Sequence, residues 1–390
     1  MDFDLSPEQE LIVETARKVG RSFGPDYWRQ VDRDRRFPRD AWQAICKSGL
    51  AAAALPQEFG GGGFGMLDLV LAVEAMTASG SGVVLAQLFM INPLFGGQGI
   101  VRYGNARMKR EILPQIIDGR ITLCFALTEP DTGNNAFNMK AYARRDGEGW
   151  RLSGQKVWIT AVGSADLMIV VARTKRMEET ARRTDGITMF LIDAKRAGIR
   201  HQSIEKAATH PLASSVVFFD DVRIEPDEVL GTVDGGWPEL VELLNGERVI
   251  TAAGLVGAGE LAIRLAVDYA KERKVFAERP IASYQGVQFP LAKAHAELEC
   301  ARLMNRKAAV LMDRGRPFAS EANIAKFMAA QAAVEAADRA LQTLGGMGFA
   351  CEYHVERIWR DVRVFAVAPI PQEMILNFIA MNDLGLPRSY

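Results

Sequence analysis

The spacing of hydrophobic residues changes twice along the chain and divides it into three parts. Residues 1–120 carry apolar positions at helical spacing. Residues 121–232 show short alternating runs separated by turn signals such as Asp146-Gly147-Glu148-Gly149. Helical spacing returns over 233–390 in longer segments. The sequence therefore predicts an α+β protein in which an N-terminal helical domain (1–120), a middle β domain (121–232) and a C-terminal helical domain (233–390) follow one another.

The individual elements follow from the same pattern. In the first part, helices are predicted over 6–19, 38–49, 66–79, 84–102 and 106–117. In the second, strands are predicted over 121–127, 140–145, 150–153, 156–160, 167–172, 187–192 and 216–219. Strands that follow one another through short turns favour an antiparallel barrel or sandwich.

The C-terminal part is predicted to be an antiparallel four-helix bundle. Its core is expected along two apolar stripes, which consist of Leu291, Ala294, Leu298, Ala301, Ala308 and Leu311, and of Ile324, Phe327, Met328, Val334 and Leu341. Three glycines in one predicted helix lower its helix propensity but allow a neighbouring helix to approach closely; they are Gly254, Gly257 and Gly259.

Composition excludes several classes of protein. The 390 residues are 48% hydrophobic and 24% charged, and their net charge of −1 does not favour a nucleic-acid partner. No apolar run reaches the roughly 18 to 20 residues of a membrane helix. The start, from Met1 to Ser6, is acidic and unlike a targeting segment. We expect a soluble cytoplasmic protein. Four widely spaced cysteines and four scattered histidines predict reduced thiols and no metal site.

Two polar segments in the middle part are typical of a site for a flat, polar cofactor. Thr128, Gly133, Asn134 and Asn135 place short hydrogen-bonding groups around a turn. Over 156–160, Trp158 and Thr160 are predicted to share one side of an alternating strand. An aromatic face next to a hydroxyl suits a ring system with polar edges.

These segments, L-T-E-P-x-x-G at 127–133 and K-V-W-I-T at 156–160, resemble the flavin-binding elements of the acyl-CoA dehydrogenase family. Two later segments agree: Arg273 to Phe276 with Gln285 and Gln288, and Gln342 to Gly348. The resemblance extends from Met1 to about Leu386. It implies two helical domains around a β domain, and a homotetramer or homodimer joined through C-terminal helices.

The resemblance also implies the cofactor, the substrate and the residues that bind them. FAD is the expected cofactor, an acyl-CoA thioester the expected substrate, and an electron-transfer flavoprotein the expected electron acceptor. Residues expected to hold the isoalloxazine and its neighbourhood are Leu127, Thr128, Gly133, Trp158 and Thr160. Residues expected to hold the rest of FAD, with the diphosphate bound by an arginine from a neighbouring subunit, are Arg273, Phe276, Gln285, Gln342, Gly345 and Gly346.

The usual catalytic base of the family is missing from this sequence. In most relatives it is the Glu of an E-G-T segment eight residues after an Arg-Asp pair, and counting from Asp361 gives Pro369. Some relatives instead place the base before an Arg on an earlier helix, where this chain has Glu247-Arg248. Glu247 is the predicted base, and Glu373 is its competitor. Arg248, Asn245 and Asn134 are predicted to contact the substrate.

Pro369 has a second consequence, because proline has no N–H. In the family this backbone N–H helps to bind the thioester oxygen as negative charge develops on it, and losing such a donor costs roughly 10²- to 10³-fold in rate. Two explanations stay open: the Ile370 N–H replaces it, or the substrate has a more acidic α-proton.

Two other functions are compatible with the sequence. Relatives that reduce enoyl-CoA of the crotonobetainyl-CoA type also lack the E-G-T Glu and keep an acid before the Arg. A flavin-binding family member without dehydrogenase activity, acting as a scaffold or on nucleic acid, is the alternative from another class; Glu247 and the near-neutral charge oppose it.

Overall fold

The computed structural model describes residues 4–276 and 278–388, and its first part is helical. The first helix begins where predicted, because the Ser6 hydroxyl accepts a hydrogen bond from the Gln9 N–H and the Gln9 side chain accepts one from the Ser6 N–H. The helices are α1 (Pro7–Ser22), α2 (Pro25–Arg33), α3 (Arg39–Lys47), α4 (Met66–Met76), α5 (Val84–Phe89), α6 (Gly99–Tyr103) and α7 (Leu113–Ile117).

Wider helical turns link several of these helices. π-Helical segments lie at Thr77–Ser81, Met90–Gln98 and Met108–Ile112. In the second of them Pro93 supplies no N–H to the helical ladder. The stretch from Val84 to Tyr103 is therefore helical throughout, as the sequence predicts, but is not a regular α-helix.

The middle part is an eight-stranded sheet in the order β6-β7-β3-β2-β4-β5-β8, with β1 on β4. Most neighbours are antiparallel, as predicted, but β1 pairs with β4 in parallel and β2 meets β4 in parallel at Tyr142 and Arg173. The strands are β1 (Leu123–Ala126), β2 (Tyr142–Asp146), β3 (Gly149–Thr160), β4 (Leu167–Arg173), β5 (Ile187–Asp193), β6 (Ile199–Ile204), β7 (Ser214–Ile224) and β8 (Val229–Leu230).

Two details of the sheet differ from the expectation. The runs 150–153 and 156–160 belong to one strand, β3, because a β-bulge near Gly154 lets the chain continue in the same ladder. Strand β6 is not predicted, since its inner residues Arg200, His201, Gln202 and Ser203 are polar and exposed.

The third part is helical again and is built on the 37-residue helix α8. A two-stranded ribbon, β9 (Lys274–Val275) and β10 (Arg279–Pro280), follows it. Helix α10 packs against α8 and α9, and the last two helices pack against α10. The helices are α8 (Gly236–Glu272), α9 (Gln285–Asp313), α10 (Ala319–Leu344), α11 (Val355–Val364) and α12 (Gln372–Asn382).

The buried face of α10 is not the predicted one. Ile324, Phe327, Met328, Val334 and Leu341 are only half-buried, whereas alanines from Ala322 to Ala340 form the buried face. Small side chains let the helices approach more closely than a leucine stripe would. The glycine prediction is confirmed: a Cβ on Gly257 would lie 2.0 Å from the Thr77 hydroxyl, and one on Gly254 would lie 2.3 Å from the Ala86 Cβ.

Two helical stretches are long and apolar enough to cross a membrane by length and composition, contrary to the expectation that none is. They are Val84–Tyr103 and Gly236–Glu272, whose most apolar windows are 83% and 78% buried within the molecule. Their apolar side chains face the hydrophobic core, so packing accounts for the composition of both.

Candidate active site

A buried ion pair joins the two polar segments singled out from the sequence. The Lys156 Nζ lies 2.8 Å from the Glu129 carboxylate and donates a second hydrogen bond of 2.8 Å to the Leu127 carbonyl. The Glu129 carboxylate also accepts hydrogen bonds from the backbone N–H groups of Lys140 and Ala141. Both charged side chains are buried. This pair holds 127–133 and 156–160 side by side.

The strand that carries Trp158 is distorted at that residue. Its register against β7 shifts between Lys156 and Ile159, and Trp158 has a φ of 62°, in the left-handed region. A bulky residue is strained there, and such strain is concentrated at functional sites. Trp158 is 55% exposed. The bulge therefore presents a broad aromatic face outward, next to the half-buried Thr160.

The turn at 128–135 keeps polar groups available. A Cβ built on Gly133 would meet nothing within 4 Å. The Thr132 hydroxyl and the Asn135 side-chain oxygen are buried without a hydrogen-bond partner. Buried polar atoms are normally satisfied, so these two atoms and the open space at Gly133 indicate room for a polar ligand. Asn134 is exposed beside them.

Glu247 lies on α8 with almost no exposed surface. Burial raises the pKa of its carboxyl to about 7, while the Arg248 guanidinium and then the Lys326 ammonium act to lower it. Arg248 is half-buried, its pKa is lowered by burial, and its guanidinium donates to the Asn245 side-chain oxygen one helical turn earlier. The structure thus brings the predicted base and two predicted substrate contacts together.

Two hydrophobic clusters contain residues from this part of α8 together with residues in or next to the two polar segments. Leu127 and Leu244 pack on the same apolar cluster, around the buried Leu243. Ala161, which follows Thr160, is buried in a second cluster with Val249 and Ile250. Glu247 therefore lies on α8 between residues that share hydrophobic clusters with residues in or next to both cofactor segments.

The loop between α11 and α12 reaches the same region through Lys326 of α10. The Lys326 Nζ donates to the carbonyls of Phe365 and Ile370, at 2.7 and 2.6 Å. Pro369 lies between these two acceptors. Glu373, the competing candidate for the base, is exposed at the start of α12. Water therefore solvates Glu373, whereas Glu247 is held away from water.

The second set of predicted cofactor residues lies apart from the first. Arg273, Phe276, Gln285, Gln342, Gly345 and Gly346 are all exposed on the C-terminal helical domain. Gly345 ends α10 with a φ of 61°, a conformation that favours glycine. Across 4–276 and 278–388, no hydrogen bond or ion pair connects this set to residues 127–160.

FAD fits the residues around Trp158. A flat ring needs an aromatic or apolar face and hydrogen-bonding groups at its edge, and the bulged strand and the turn at 128–135 provide both. No group of three or more metal-ligating side chains suited to a metal ion occurs in the part of the chain that the structure describes.

Three residues of the site were not predicted from the sequence. Lys156 and Glu129 lie inside the quoted motifs, but nothing in their spacing shows that they pair. Lys326 lies in a helix whose other buried residues are mostly small. A lysine is rarely fully buried, so the pattern assigns it to the surface.

Gly133 offers a test of the cofactor site. Gly133→Ala is expected to leave the thermal stability of the apoprotein unchanged, because the added Cβ has open space and the φ is not in the left-handed region. If FAD occupies that space, its affinity falls by about tenfold, equivalent to about 1.4 kcal/mol. Titrating apoprotein with FAD measures this; unchanged affinity places the flavin elsewhere.

The three parts of the chain each match a described domain. Residues 6–120, 124–222 and 234–383 match, in this order, the N-terminal, middle and C-terminal domains of acyl-CoA dehydrogenase. The chain is 38% identical over 387 residues to acyl-CoA dehydrogenase FadE12 of Mycobacterium tuberculosis, covering 99% of this chain and 98% of that protein.

Two further proteins are similar over their whole length. The chain is 33% identical over 378 residues to a 3-(aryl)acrylate reductase of Clostridium sporogenes, covering 97% of this chain and 98% of that protein. A solved glutaryl-coenzyme A dehydrogenase in complex with glutaryl-CoA superimposes with a TM-score of 0.94 at 28% identity, covering 100% of this chain and 98% of that one.

Proposed function

The chain belongs to the acyl-CoA dehydrogenase family and is an FAD-dependent oxidoreductase of acyl-CoA thioesters, and from this premise we propose that Glu247 is its catalytic base. The observation that carries the proposal is the burial of this carboxylate on α8, between residues that share hydrophobic clusters with residues in or next to the segments proposed to hold the flavin. Burial gives Glu247 a pKa of about 7, which suits a base that works near neutral pH.

The residues around Glu247 have distinct roles in this proposal. FAD, when bound, accepts the hydride that leaves the β-carbon of the substrate. Glu247 removes the α-proton, and the product is the 2,3-enoyl-CoA. Arg248, held by Asn245, orients the acyl thioester. Trp158, Thr160, Leu127, Thr128 and Gly133 hold the flavin ring, and the Lys156–Glu129 pair fixes the two segments that carry them.

The activity should depend on pH through Glu247. Only its carboxylate accepts a proton, so kcat/KM is expected to rise with pH, with a slope of about one on a logarithmic plot, and to level off above the pKa of about 7. Initial rates measured across this pH range with saturating electron acceptor show whether the rate rises with pH and at which pH it levels off. A profile that is flat through neutral pH, or that falls, contradicts the assignment.

The reaction itself is tested with a panel of acyl-CoA thioesters that differ in chain length, branching and aromatic character. Anaerobic mixing of the FAD-loaded protein with its substrate is expected to bleach the flavin absorbance. If none of them bleaches the flavin and no enoyl-CoA thioester reoxidises the reduced flavin, the enzymatic proposal is contradicted and a role in flavin binding alone is favoured.

Reduction of an enoyl thioester is the second candidate function. The similarity to a 3-(aryl)acrylate reductase favours it, as does the absence of the E-G-T Glu at Pro369. In that direction Glu247 would donate the proton to the α-carbon, so the same residue serves both reactions. Mixing photoreduced protein with enoyl-CoA and comparing its reoxidation rate with the rate of bleaching by acyl-CoA distinguishes the two directions.

The thioester oxygen needs a donor other than residue 369. The Ile370 N–H donates to no protein acceptor within 4–276 and 278–388, while the Ile370 carbonyl is held by Lys326. We assign the missing contact to this N–H. A substrate with a more acidic α-proton is the alternative, and the acyl-CoA panel tests it.

The nucleotide end of CoA is proposed to lie in a cleft beside the turn at 128–135. The cleft has a volume of about 550 Å³ and is lined by four cationic side chains, two acidic ones and the Tyr142 ring. An excess of positive charge next to an aromatic ring suits an adenine nucleotide that carries phosphates. The cationic side chains are Lys140, Arg173, Arg176 and Arg183.

A second copy of the chain is proposed to complete the cofactor site. Arg273, Phe276, Gln285, Gln342, Gly345 and Gly346 are exposed, and Phe276, at 84%, is among the most exposed aromatic side chains described. A neighbouring subunit that covers this surface would bury the apolar residues and bring Arg273 to the FAD diphosphate. Sedimentation should give a homotetramer or homodimer. An electron-transfer flavoprotein as acceptor and a cytoplasmic location also belong to the proposal.

A further inference from the structure

Lys326 lies in the first third of α10 with no exposed surface. Its neighbours on the buried face of the helix are small, among them Ala325, Ala329 and Ala330. Placing an ammonium group in such surroundings costs several kcal/mol unless charges and hydrogen bonds compensate it. The groups that compensate Lys326 therefore indicate what it does.

Hydrogen bonds from Lys326 hold the loop between α11 and α12 at both ends. The Nζ donates to the Phe365 carbonyl at 2.7 Å and to the Ile370 carbonyl at 2.6 Å. These two acceptors bracket residues 366–369, which include Pro369. Loss of the ammonium would leave the buried Phe365 carbonyl and the partly buried Ile370 carbonyl without this donor, so the loop would be held less firmly.

Charged groups around Lys326 come from two neighbouring helices. Glu247 and Arg248 on α8 and Glu373 on α12 are the charged groups that act on the pKa of Lys326. Burial lowers the pKa of Lys326 to about 8, while Glu247 acts to raise it, so the side chain is mostly charged at neutral pH. The Glu247 carboxylate accepts no hydrogen bond from the residues described, so Arg248 and Lys326 are the cations that favour its ionised form.

We propose that Lys326 is a positioning residue for the reaction: its two hydrogen bonds fix the 365–370 loop, and its buried charge, on a helix that packs against α8, favours the ionised form of Glu247. The proposal rests on the assignment of Glu247 as the base. It explains why a lysine, rather than a neutral residue, occupies the centre of an alanine-rich helix face. The charge favours the ionised form of the Glu247 carboxylate, and the hydrogen bonds hold the 365–370 loop in place.

The test compares the pH dependence of flavin bleaching in three variants. In Lys326→Met, the acid limb of the pH–rate profile is expected to move up by about one pH unit, which makes bleaching about fivefold slower at pH 7, about tenfold slower well below it, and restores it at higher pH. Lys326→Gln keeps a donor for the loop but no charge and should show the same shift. Lys326→Arg keeps the charge and should leave the limb in place.

Lys206 provides the matched control. It is another largely buried lysine whose pKa is lowered to about 8 by burial, but its Nζ donates to Thr209, Leu212 and Ser214. Lys206→Met should lower the melting temperature without moving the acid limb of the pH–rate profile for flavin bleaching. A limb that stays in place in both Lys326→Met and Lys326→Gln overturns the proposal.

The outcome for Glu247 separates this inference from the proposed function. If Glu247→Gln is inactive and the limb is unmoved in the neutral Lys326 variants, only the role of Lys326 fails. If Glu247→Gln keeps full activity, the base itself is wrongly assigned. Should Lys326→Met not fold, Lys326→Gln and Lys326→Arg, which both keep hydrogen-bond donors for the loop but differ in charge, decide the question.

Discussion

Replacing Glu247 with glutamine is expected to slow flavin bleaching by acyl-CoA by roughly 10²- to 10⁴-fold, the range in which a positioned general base contributes. Glutamine has the same shape but cannot accept the α-proton. FAD should stay bound, because the Glu247 carboxylate lies outside the segments proposed to hold it. The melting temperature should not fall, since the variant removes a buried ionisable group. Anaerobic stopped-flow absorbance and the flavin content of the purified protein measure both.

Glu373→Gln is the control for this variant. Glu373 is exposed at the start of α12, so its replacement should leave the bleaching rate close to that of the wild type. If Glu373→Gln is the slow variant instead, the base lies on the α11–α12 loop and the burial of Glu247 has another cause.

Replacing Lys156 with methionine is expected to lower the free energy of unfolding by roughly 3–5 kcal/mol, since it leaves the buried Glu129 carboxylate without its cation. The variant should also lose FAD, because the Leu127 carbonyl loses its donor and the segments 127–133 and 156–160 are no longer held together. Chemical denaturation followed by circular dichroism gives the stability, and the flavin-to-protein absorbance ratio gives the occupancy.

Two further variants distinguish the effect of losing the ion pair from a general destabilisation of the protein. Lys156→Met combined with Glu129→Gln removes both charges and should recover part of the stability, because no unpaired charge stays buried. Lys140→Met removes an exposed lysine that pairs with Asp131 at 2.9 Å and should change the melting temperature little. A stable, flavin-loaded Lys156→Met would show that the pair does not support the cofactor site.

Much of this architecture could be predicted from the sequence, because the evidence for it is local. The change from helical to alternating spacing near residue 121 reflects side chains that face the core at different periods. The polar turn at Gly133 and the Trp158 strand could be recognised because short polar groups and an exposed indole are unusual side by side. Glu247 could be singled out because it precedes Arg248 in a chain that has Pro369 at the usual position.

The features that could not be predicted from the sequence depend on contacts between residues far apart in the chain. The pairing of Lys156 with Glu129 across 27 residues leaves no periodic signal. The left-handed conformation of Trp158 follows from the register of β3 on β7, not from the residue type. In α10, Met328, Val334 and Leu341 of the predicted stripe pack only at the edge of the core, because close approach of α8 selects alanine on the buried face.

Lys326 shows the same limit most clearly. In a helix rich in alanine a lysine is normally a surface residue. Only the fold shows that it is enclosed and that its ammonium bonds two carbonyls about forty residues further along the chain. Its relation to Glu247 depends on the packing of α8 against α10, which no pattern within either helix reports.

Removal of the α-proton by Glu247 can be measured separately from oxidation. With the flavin reduced beforehand, no hydride can be accepted, and exchange of the substrate α-proton with deuterated solvent reports proton removal alone. We expect wild type and Glu373→Gln to incorporate deuterium at the α-carbon of acyl-CoA, detected by mass spectrometry, and Glu247→Gln to incorporate none over the same period. Exchange by Glu247→Gln at the wild-type rate would contradict the assignment of the base.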